Sequence, residues 1–321
     1  MIEHKRNIAI DVMKFLAALL ITNSHMGIMY TKFSSLATGG SIGDALFFFC
    51  SGFTLFLGQE RRFDNWYKRR ISRIYPTVIA WAIVTSFFIN ESYSVNDCIT
   101  KGGGWFIPCI MVYYIIIYFV RKLFKTKLWL AFVLASAFTL FYYYLSGNYH
   151  DISIYGETGF RLVFFFLYML LGAIVGQNYQ NIKMRKPAIW LFVSLVLFNA
   201  LLLIRGRFDI LMASFINILT LIVLFGICIS LYACCNTKVV KNIYESKFGL
   251  GIQFIGGLCL EIYIVQHAII TSRFNSIFPL NLIFVFIGIV LSAYVVKCLS
   301  RLFLQTFQKD DYNWKEILKL I

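Results

Sequence analysis

The fold is decided by residues 188–233, which read AIWLFVSLVLFNALLLIRGRFDILMASFINILTLIVLFGICISLYA. Two apolar runs, residues 188–204 and 210–233, lie on either side of a short segment that carries Arg205 and Arg207. About 20 consecutive apolar residues span the hydrocarbon core of a bilayer as an α-helix. The stretch therefore predicts two membrane-spanning helices that are joined by a short polar loop.

The composition of the whole chain extends this prediction beyond that stretch. Of the 321 residues, 60% are hydrophobic and only 14% are charged, whereas a soluble domain carries about a quarter charged residues. A soluble core of ordinary size does not cover that much apolar surface. The apolar runs are continuous instead of alternating, which excludes transmembrane β-strands. We therefore expect an all-α integral membrane protein.

The same pattern along the chain predicts about ten transmembrane helices. No linker or low-complexity tract separates them, so we expect one transmembrane domain over residues 1–308 and a short cytoplasmic tail over residues 309–321. The predicted helices cover residues 8–30, 41–58, 73–90, 104–120, 128–146, 160–177, 188–204, 210–233, 254–272 and 280–304.

The distribution of basic residues predicts the orientation. If both termini are cytoplasmic, most of the 30 Lys and Arg residues fall in cytoplasmic segments, including the tail to which we assign Lys297 and Arg301. This asymmetry follows the positive-inside rule. It accounts for the net charge of +15 without a nucleic-acid partner. No cluster with metal-ligand spacing is present, so no metal site is predicted. The opposite loops hold Lys32, Lys101, Arg161, Arg205, Arg207 and Arg273.

Several ionisable residues lie inside the predicted helices, where a charge costs about 2.5–3.5 kcal/mol at the bilayer centre and is usually functional. Two interpretations are open for Asp11, Asp44 and Glu261: they pair with other charged residues and fix helix packing, or they have a functional role. Function is favoured for Lys14 and His25. The full set is Asp11, Lys14 and His25 in the first helix, Asp44 in the second, and Glu261 and His267 in the ninth.

The spacing of Lys14 and His25 favours a functional role for both residues. His25 follows Lys14 by eleven positions, which places the two within about 20° of one helix face and ~16 Å apart. In the predicted orientation the cation lies nearer the cytoplasm and the histidine lies deeper. This arrangement suits a long donor with phosphates at one end and its reactive atom at the other. Histidine is the usual general base because its pKa lies near working pH.

Two further features have competing interpretations. The segment RRFDNWYKRRISRIYP, residues 61–76, brings Arg69, Arg70 and Arg73 to the entry of the third helix. They are either a phosphate-binding cluster or a cytoplasmic basic loop in contact with lipid headgroups. Trp105, in GGGW, is either an interfacial anchor or a stacking surface for a sugar. Ser51 and Gly52 are consistent with close helix packing.

Five segments together resemble the acyltransferase-3 family of bacterial integral-membrane O-acyltransferases, in the family's order along nearly the whole chain. Lys14 stands where the family frequently has arginine, which keeps the attraction for an anion but loses a bidentate contact. The segments are IDVMKFLAALLITNSH (10–25), GDALFFFCSGF (43–53), RRISRIYP (69–76), GGGWFI (102–107) and EIYIVQH (261–267).

The resemblance implies transfer of an acyl group, usually acetyl, from cytoplasmic acyl-CoA to a hydroxyl of a cell-envelope or extracellular glycan or lipid-linked saccharide. It implies a multi-pass protein of the bacterial inner membrane. Acetyl-CoA or another acyl-CoA would be a donor substrate, with no permanently bound cofactor. It implies that His25 is the general base and that Asp11 orients Lys14 or His25. It also implies that Lys14, Arg69, Arg70 and Arg73 bind the donor phosphates. Acceptor or relay roles fall to Trp105, Glu261, His267 and Asp44.

Two alternatives stay open from the sequence. Buried ionisable residues also form the relays of a proton-coupled transporter or flippase, although a carrier has no need of a phosphate-binding cluster at the third helix. The second alternative keeps the enzyme class and replaces acetyl with succinyl or another acyl group, as in exopolysaccharide modification. Consumption of an acyl-CoA thioester by the purified protein distinguishes the carrier from the enzyme.

Overall fold

The structure is a computed structural model that describes residues 7–57, 61–88, 94, 96–97, 104–145, 159–179 and 184–320. The residues in these ranges form α-helices and 3-10 turns and include no strand, which confirms the all-α prediction. The α-helices are α1 (Ile8–His25), α2 (Gly40–Leu57), α3 (Phe63–Phe88), α4 (Phe106–Leu123), α5 (Leu128–Leu145), α6 (Arg161–Gln177), α7 (Pro187–Ile204), α8 (Ile210–Cys235), α9 (Lys238–Glu245), α10 (Lys247–Gly257), α11 (Cys259–Ile269), α12 (Leu280–Thr306) and α13 (Trp314–Ile317).

Helix length and composition are those of an integral membrane protein. Within the described ranges, eight helices are long and apolar enough to cross a bilayer: α1 to α5, α7, α8 and α12. A shorter apolar helix, α6, and the bent pair α10–α11 occupy the two remaining predicted segments. The apolar surface of α7 is largely exposed, with Phe192 at 68% and Leu203 at 77%, as expected for side chains that face lipid. The cytoplasmic location of the termini stays a prediction.

Local signals in the sequence explain where α7 and α8 begin. Pro187 occupies the first turn of α7, where its missing N–H has no intrahelical partner to lose. The side chain of Asp209 accepts a hydrogen bond from the Met212 N–H and caps α8. A single 3-10 turn, Arg205–Arg207, connects the two helices. The short polar loop predicted from this stretch is confirmed.

The third helix begins at Phe63 instead of residue 73, which corrects the prediction. Trp66 is buried in its first turns, and the indole N–H donates to the Tyr114 carbonyl of α4 over 3.3 Å. This tertiary contact stabilises a helix through a polar segment that composition alone assigns to a loop. Arg69, Arg70 and Arg73 therefore lie inside α3 and not at its entry.

The predicted helix 254–272 is also wrong as one continuous helix. It is replaced by α10 and α11, whose axes differ by 72°. Gly256 and Gly257 precede Leu258, whose φ of −97° and ψ of 8° leave the helical region. Glycine is about 1 kcal/mol less favourable than alanine in a helix, so the two glycines weaken the helix at the bend.

The C-terminal segment is ordered against α12. The Tyr294 hydroxyl donates to the Leu318 carbonyl over 2.7 Å, and Arg301 donates to the Ile317 carbonyl over 3.1 Å. Ile317 of α13 is buried. Lys297 and Arg301 both lie within α12, so their assignment to the tail is wrong. The helix α12 is long enough to carry both residues because its apolar run continues past Lys297.

The chain divides into two compact units. The first unit comprises Met1–Lys14, Ser41–Gln59 and Ile117–Phe248, and the second unit comprises Phe15–Gly40, Glu60–Ile116 and Gly249–Ile321. Each unit is assembled from segments that are distant in sequence, and α1 and α4 contribute to both. The single domain over residues 1–308 stays a prediction.

In the first unit, α2 and α6 approach each other at backbone distance. An added Cβ on Gly52 would lie 1.8 Å from the Met169 carbonyl oxygen, and one on Gly172 would lie 2.0 Å from the Phe49 carbonyl oxygen. Only glycine fits such a contact, which is typical of small-residue helix packing in membranes. The interpretation of Gly52 as a packing residue is confirmed.

In the second unit, α3, α11 and α12 pack together and enclose a polar centre. Its core includes Glu261 and Gln266 of α11, both fully buried at 0% exposure. Buried polar groups are usually hydrogen-bonded or functional. The second unit is therefore where the candidate site is built.

Candidate active site

His25 is the last residue of α1, and a network of side-chain amides in the second unit fixes this end of the helix. Asn23 donates to the carbonyls of Leu36 and Thr38 over 2.7 and 3.0 Å. Asn281 of α12 donates to the Met29 carbonyl over 2.9 Å. A histidine on an anchored helix end is held in a defined position, which general-base catalysis requires.

The structure brings His25 and His267 together. Their ring centroids are 4.5 Å apart, with the ring planes inclined by 58°. His25 is half-buried and His267 is exposed. The two histidines are separated by most of the chain, and their adjacency follows from the fold of the second unit. Two imidazoles at this distance provide a proton acceptor next to a second group that binds protons.

Gln266, the neighbour of His267 in sequence, was missed by the sequence analysis. Its side chain lies beside His25. Beyond this interaction with His25, neither polar atom of its amide makes a well-formed hydrogen bond in the described part of the chain, and neither does His25 Nδ1. Leaving such a buried group unpaired costs about 1–3 kcal/mol. Sequence alone gives no signal for Gln266, because a glutamine in an apolar helix looks the same whether it is paired or not.

Glu261 is held by partners from two other helices. One oxygen, Oε1, accepts from Lys297 Nζ of α12 over 2.7 Å and from the Thr77 hydroxyl of α3 over 3.2 Å. Pairing, one of the two interpretations open for Glu261, is thus present. The signal that would have found the partner was an unexplained lysine inside the apolar run of α12.

Trp105 lies at a turn beside α11. Gly104 has a φ of +64°, and a Cβ added to it would lie 3.5 Å from the Tyr263 hydroxyl. Phe106 packs on Tyr263 with ring centroids 5.1 Å apart, and Trp105 contacts Phe106 edge to face. Tyr263 precedes His267 by one helical turn, so both residues lie on the same face of α11. The turn that carries Trp105 therefore lies beside the face of α11 that carries His267. Gly102 and Gly103 of this motif lie outside the described residues.

The three arginines of α3 have different environments. The Arg70 guanidinium lies 4.6 Å above the Trp66 ring and 5.6 Å from the Tyr114 ring. Arg69 and Arg73 are exposed, whereas Arg70 is half-buried. Arg70 therefore contributes to the packing of α3 on α4, and Arg69 and Arg73 present their charges outward.

Three predicted site residues belong to the first unit: Asp11, Lys14 and Asp44. The Tyr244 hydroxyl of α9 donates to Asp11 Oδ2 over 2.7 Å, a partner that the sequence did not indicate. Asp44 interacts electrostatically with Arg161 at the start of α6. The orientation of Lys14 or His25 by Asp11 stays a prediction.

Comparison with known proteins identifies the family. The family model described as an acyltransferase domain, that of acyltransferase-3, matches residues 7–300. The curated proteins and the solved structures gave no significant match. All five segments of the resemblance lie within the matched range, and the match favours an enzyme over a carrier. The chain is a multi-pass membrane protein with an acyltransferase domain and belongs to the acyltransferase-3 family.

Proposed function

We propose that this protein transfers an acyl group, acetyl in the first instance, from cytoplasmic acyl-CoA to a hydroxyl of a cell-envelope or extracellular glycan. The proposed location is the bacterial inner membrane with both termini cytoplasmic. The observation that carries the proposal is the contact of His25 with His267 at an anchored helix end. In a family that transfers acyl groups, this contact supports His25 as the general base.

The proposed reaction is a direct transfer in which His25 acts as general base. The imidazole takes the proton of the acceptor hydroxyl as the hydroxyl oxygen attacks the thioester carbonyl carbon. A C–O bond forms, the C–S bond breaks, and the electron pair of that bond leaves with the sulfur of coenzyme A. The proton on His25 then passes to that sulfur, which gives an ester and the free thiol.

His267 and Trp105 are proposed to serve the acceptor. His267 is exposed beside the base, where its imidazole can hydrogen-bond a second hydroxyl of a saccharide. Trp105 lies half-buried at the turn beside Tyr263 and offers an aromatic face with a polar N–H. Asp44 and Glu261 keep the status of acceptor-side candidates, with Glu261 bound to Lys297.

The cations are proposed to hold the donor. Arg69 and Arg73 are exposed on α3, and a guanidinium binds phosphate oxygens in pairs. Arg70 is half-buried against Trp66, where it supports the cluster and adds to its positive charge. Lys14, in the first unit, keeps the donor-binding role that the family resemblance implies for it. Coenzyme A, with a diphosphate and a further phosphate, offers anions to these groups.

The experiment that tests the proposed function compares wild type with His25→Ala in purified, lipid-reconstituted protein. Consumption of acetyl-CoA in the presence of surface glycan should fall by about a hundredfold or more. Asn199→Ala on α7 is the control, because that exposed amide donates to the Leu195 carbonyl of its own helix. Wild-type transfer by His25→Ala would overturn the mechanism, and absence of thioester consumption in wild type would favour the carrier.

A second measurement identifies the acyl group. Acetyl-CoA and succinyl-CoA are supplied to the reconstituted protein in competition, and the ester formed on the glycan is weighed by mass spectrometry. We expect acetyl ester to predominate. A predominance of succinyl ester would keep the reaction and replace the donor.

A further inference from the structure

Gln266 is a fully buried glutamine whose side-chain amide interacts with the imidazole of His25. Its exposed fraction is 0%. Apart from its interaction with His25, neither amide atom, Nε2 or Oε1, makes a well-formed hydrogen bond among the described residues. Burying an amide in this state costs free energy that an apolar side chain of the same shape would avoid. The amide is therefore suited to a ligand group that enters the site.

The surroundings of Gln266 locate that ligand group. The side chain lies beside His25, and Gln266 precedes His267, whose ring is 4.5 Å from His25. His25 Nδ1 is a third buried polar atom without a well-formed hydrogen bond among the described residues. Glu261, the other fully buried polar side chain of α11, has one oxygen, Oε1, paired with Lys297 and Thr77, and its Oε2 is unpaired among the described residues. The Gln266 amide is thus the buried polar group of α11 that lies at the proposed base.

We infer that Gln266 is a catalytic residue whose side-chain N–H donates to the carbonyl oxygen of the reacting thioester. The inference rests on the proposed function. When the acceptor oxygen attacks, the π electron pair of the carbonyl moves onto its oxygen, and this oxyanion later reforms the double bond as the C–S bond breaks. A buried, prepositioned amide donor stabilises that negative charge more in the transition state than in the ground state.

The test replaces Gln266 with methionine, which has a similar length and no N–H donor. Loss of one oxyanion donor lowers kcat by about 10²–10³-fold. The KM for acetyl-CoA should stay within about twofold, because the Gln266 N–H contributes little to binding of acetyl-CoA in the ground state. Gln253→Met is the matched control. Gln253 is half-buried on α10, the other helix of the bent pair, and this variant should keep wild-type kcat.

Gln266→Glu is the second variant, since it preserves the shape of the side chain and replaces the N–H donor with oxygen. It should show the same loss of kcat. Elution as a single species and binding of acetyl-CoA establish that each variant is folded. If methionine does not fold, glutamate decides the test. If both variants unfold, Gln266 has a structural role and the inference is overturned.

Two other outcomes contradict the inference. A Gln266→Met enzyme that keeps more than about one third of wild-type kcat has no need of the donor. A raised KM with unchanged kcat would show that the amide serves substrate binding alone. His25→Ala separates this failure from failure of the proposed function. An inactive His25→Ala beside an active Gln266→Met removes the role of Gln266 and leaves the general base in place.

Discussion

The buried ion pair of the second unit has unequal partners. Glu261 is fully buried, whereas the Lys297 side chain is 29% exposed. A lysine left without its partner can extend its ammonium group toward the surface. A carboxylate with 0% exposure has no such route, and one of its oxygens, Oε2, already has no hydrogen bond among the described residues. The two halves of the pair should therefore respond differently to mutation.

Lys297→Met should destabilise the protein more than Glu261→Gln. Removal of one partner of a buried pair costs about 3–5 kcal/mol, and the full effect is expected only where the remaining charge is wholly buried. Thermal unfolding of the purified variants in detergent measures this. The double variant Glu261→Gln/Lys297→Met should regain part of the stability lost by Lys297→Met alone. Equal destabilisation by the two single changes would contradict the asymmetry.

Arg70 and Arg73 lie on the same helix, but their substitution should affect donor binding and stability differently. Arg73→Gln should raise the KM for acetyl-CoA with no change in thermal stability, because Arg73 is exposed. Arg70→Gln should also lower the melting temperature, since a contact with Trp66 and Tyr114 is lost. A cation–π contact of this kind contributes about 0.5–2 kcal/mol. The idea fails if Arg73→Gln melts earlier and binds the donor normally.

Among the helices, the α2–α6 contact depends most directly on residue size. Gly172 and Gly176 are one turn apart on α6, where added Cβ atoms would lie 2.0 Å from the Phe49 oxygen and 2.8 Å from the Phe53 oxygen. The obstructing atoms are backbone carbonyls, which do not move aside as a side chain does. The Ser-Gly-Phe segment of α2 and the glycines of α6 are thus two halves of one packing surface.

Gly172→Ala should separate α2 from α6 and destabilise the first unit. Overpacking of this kind costs about 1–3 kcal/mol or more, seen as a lower melting temperature and a lower yield of folded protein. Gly251→Ala on α10 is the control, because no atom lies within 4 Å of its added Cβ. It should melt at or slightly above the wild-type temperature, since alanine favours the helix. A Gly172→Ala protein with wild-type stability would refute the contact.

The orientation of the whole molecule depends on how many segments cross the bilayer. Among the described residues, eight helices have the length of a span, and the bent pair α10–α11 and the shorter α6 occupy two further predicted segments. If all ten cross, both termini lie on one side. The arginines and lysines of the connecting segments then sort as the positive-inside rule requires.

Cysteine labelling in intact cells tests this orientation. Arg207→Cys, in the turn before α8, should react with a membrane-impermeant maleimide from outside. Lys315→Cys, on α13, should react only in inverted vesicles. The natural cysteines of the described residues are buried or half-buried, and wild type gives the background. Reaction of Lys315→Cys from outside would place the C-terminus opposite to the prediction.

The sequence by itself determined the class of the protein and most of its helices. In lipid, a continuous apolar run hydrogen-bonds all of its backbone N–H and C=O groups by forming a helix. The approximate bounds of α7 and α8 therefore followed from residues 188–233. The family also followed from the sequence, because motifs such as residues 69–76 are local patterns. Local patterns do not report tertiary contacts, which explains the error at α3. The first turns of this helix depend on the hydrogen bond from the Trp66 indole to the Tyr114 carbonyl.

Only the tertiary structure decided which polar residues meet. His25 and His267, Glu261 and Lys297, and Asp11 and Tyr244 are distant in sequence and adjacent in space. Helical periodicity assigns each residue to a face of its own helix, but the partner of that face depends on how whole helices pack. Pairing across helices is a property of packing, and for that reason Gln266 becomes visible as a buried amide beside His25 only in the folded chain.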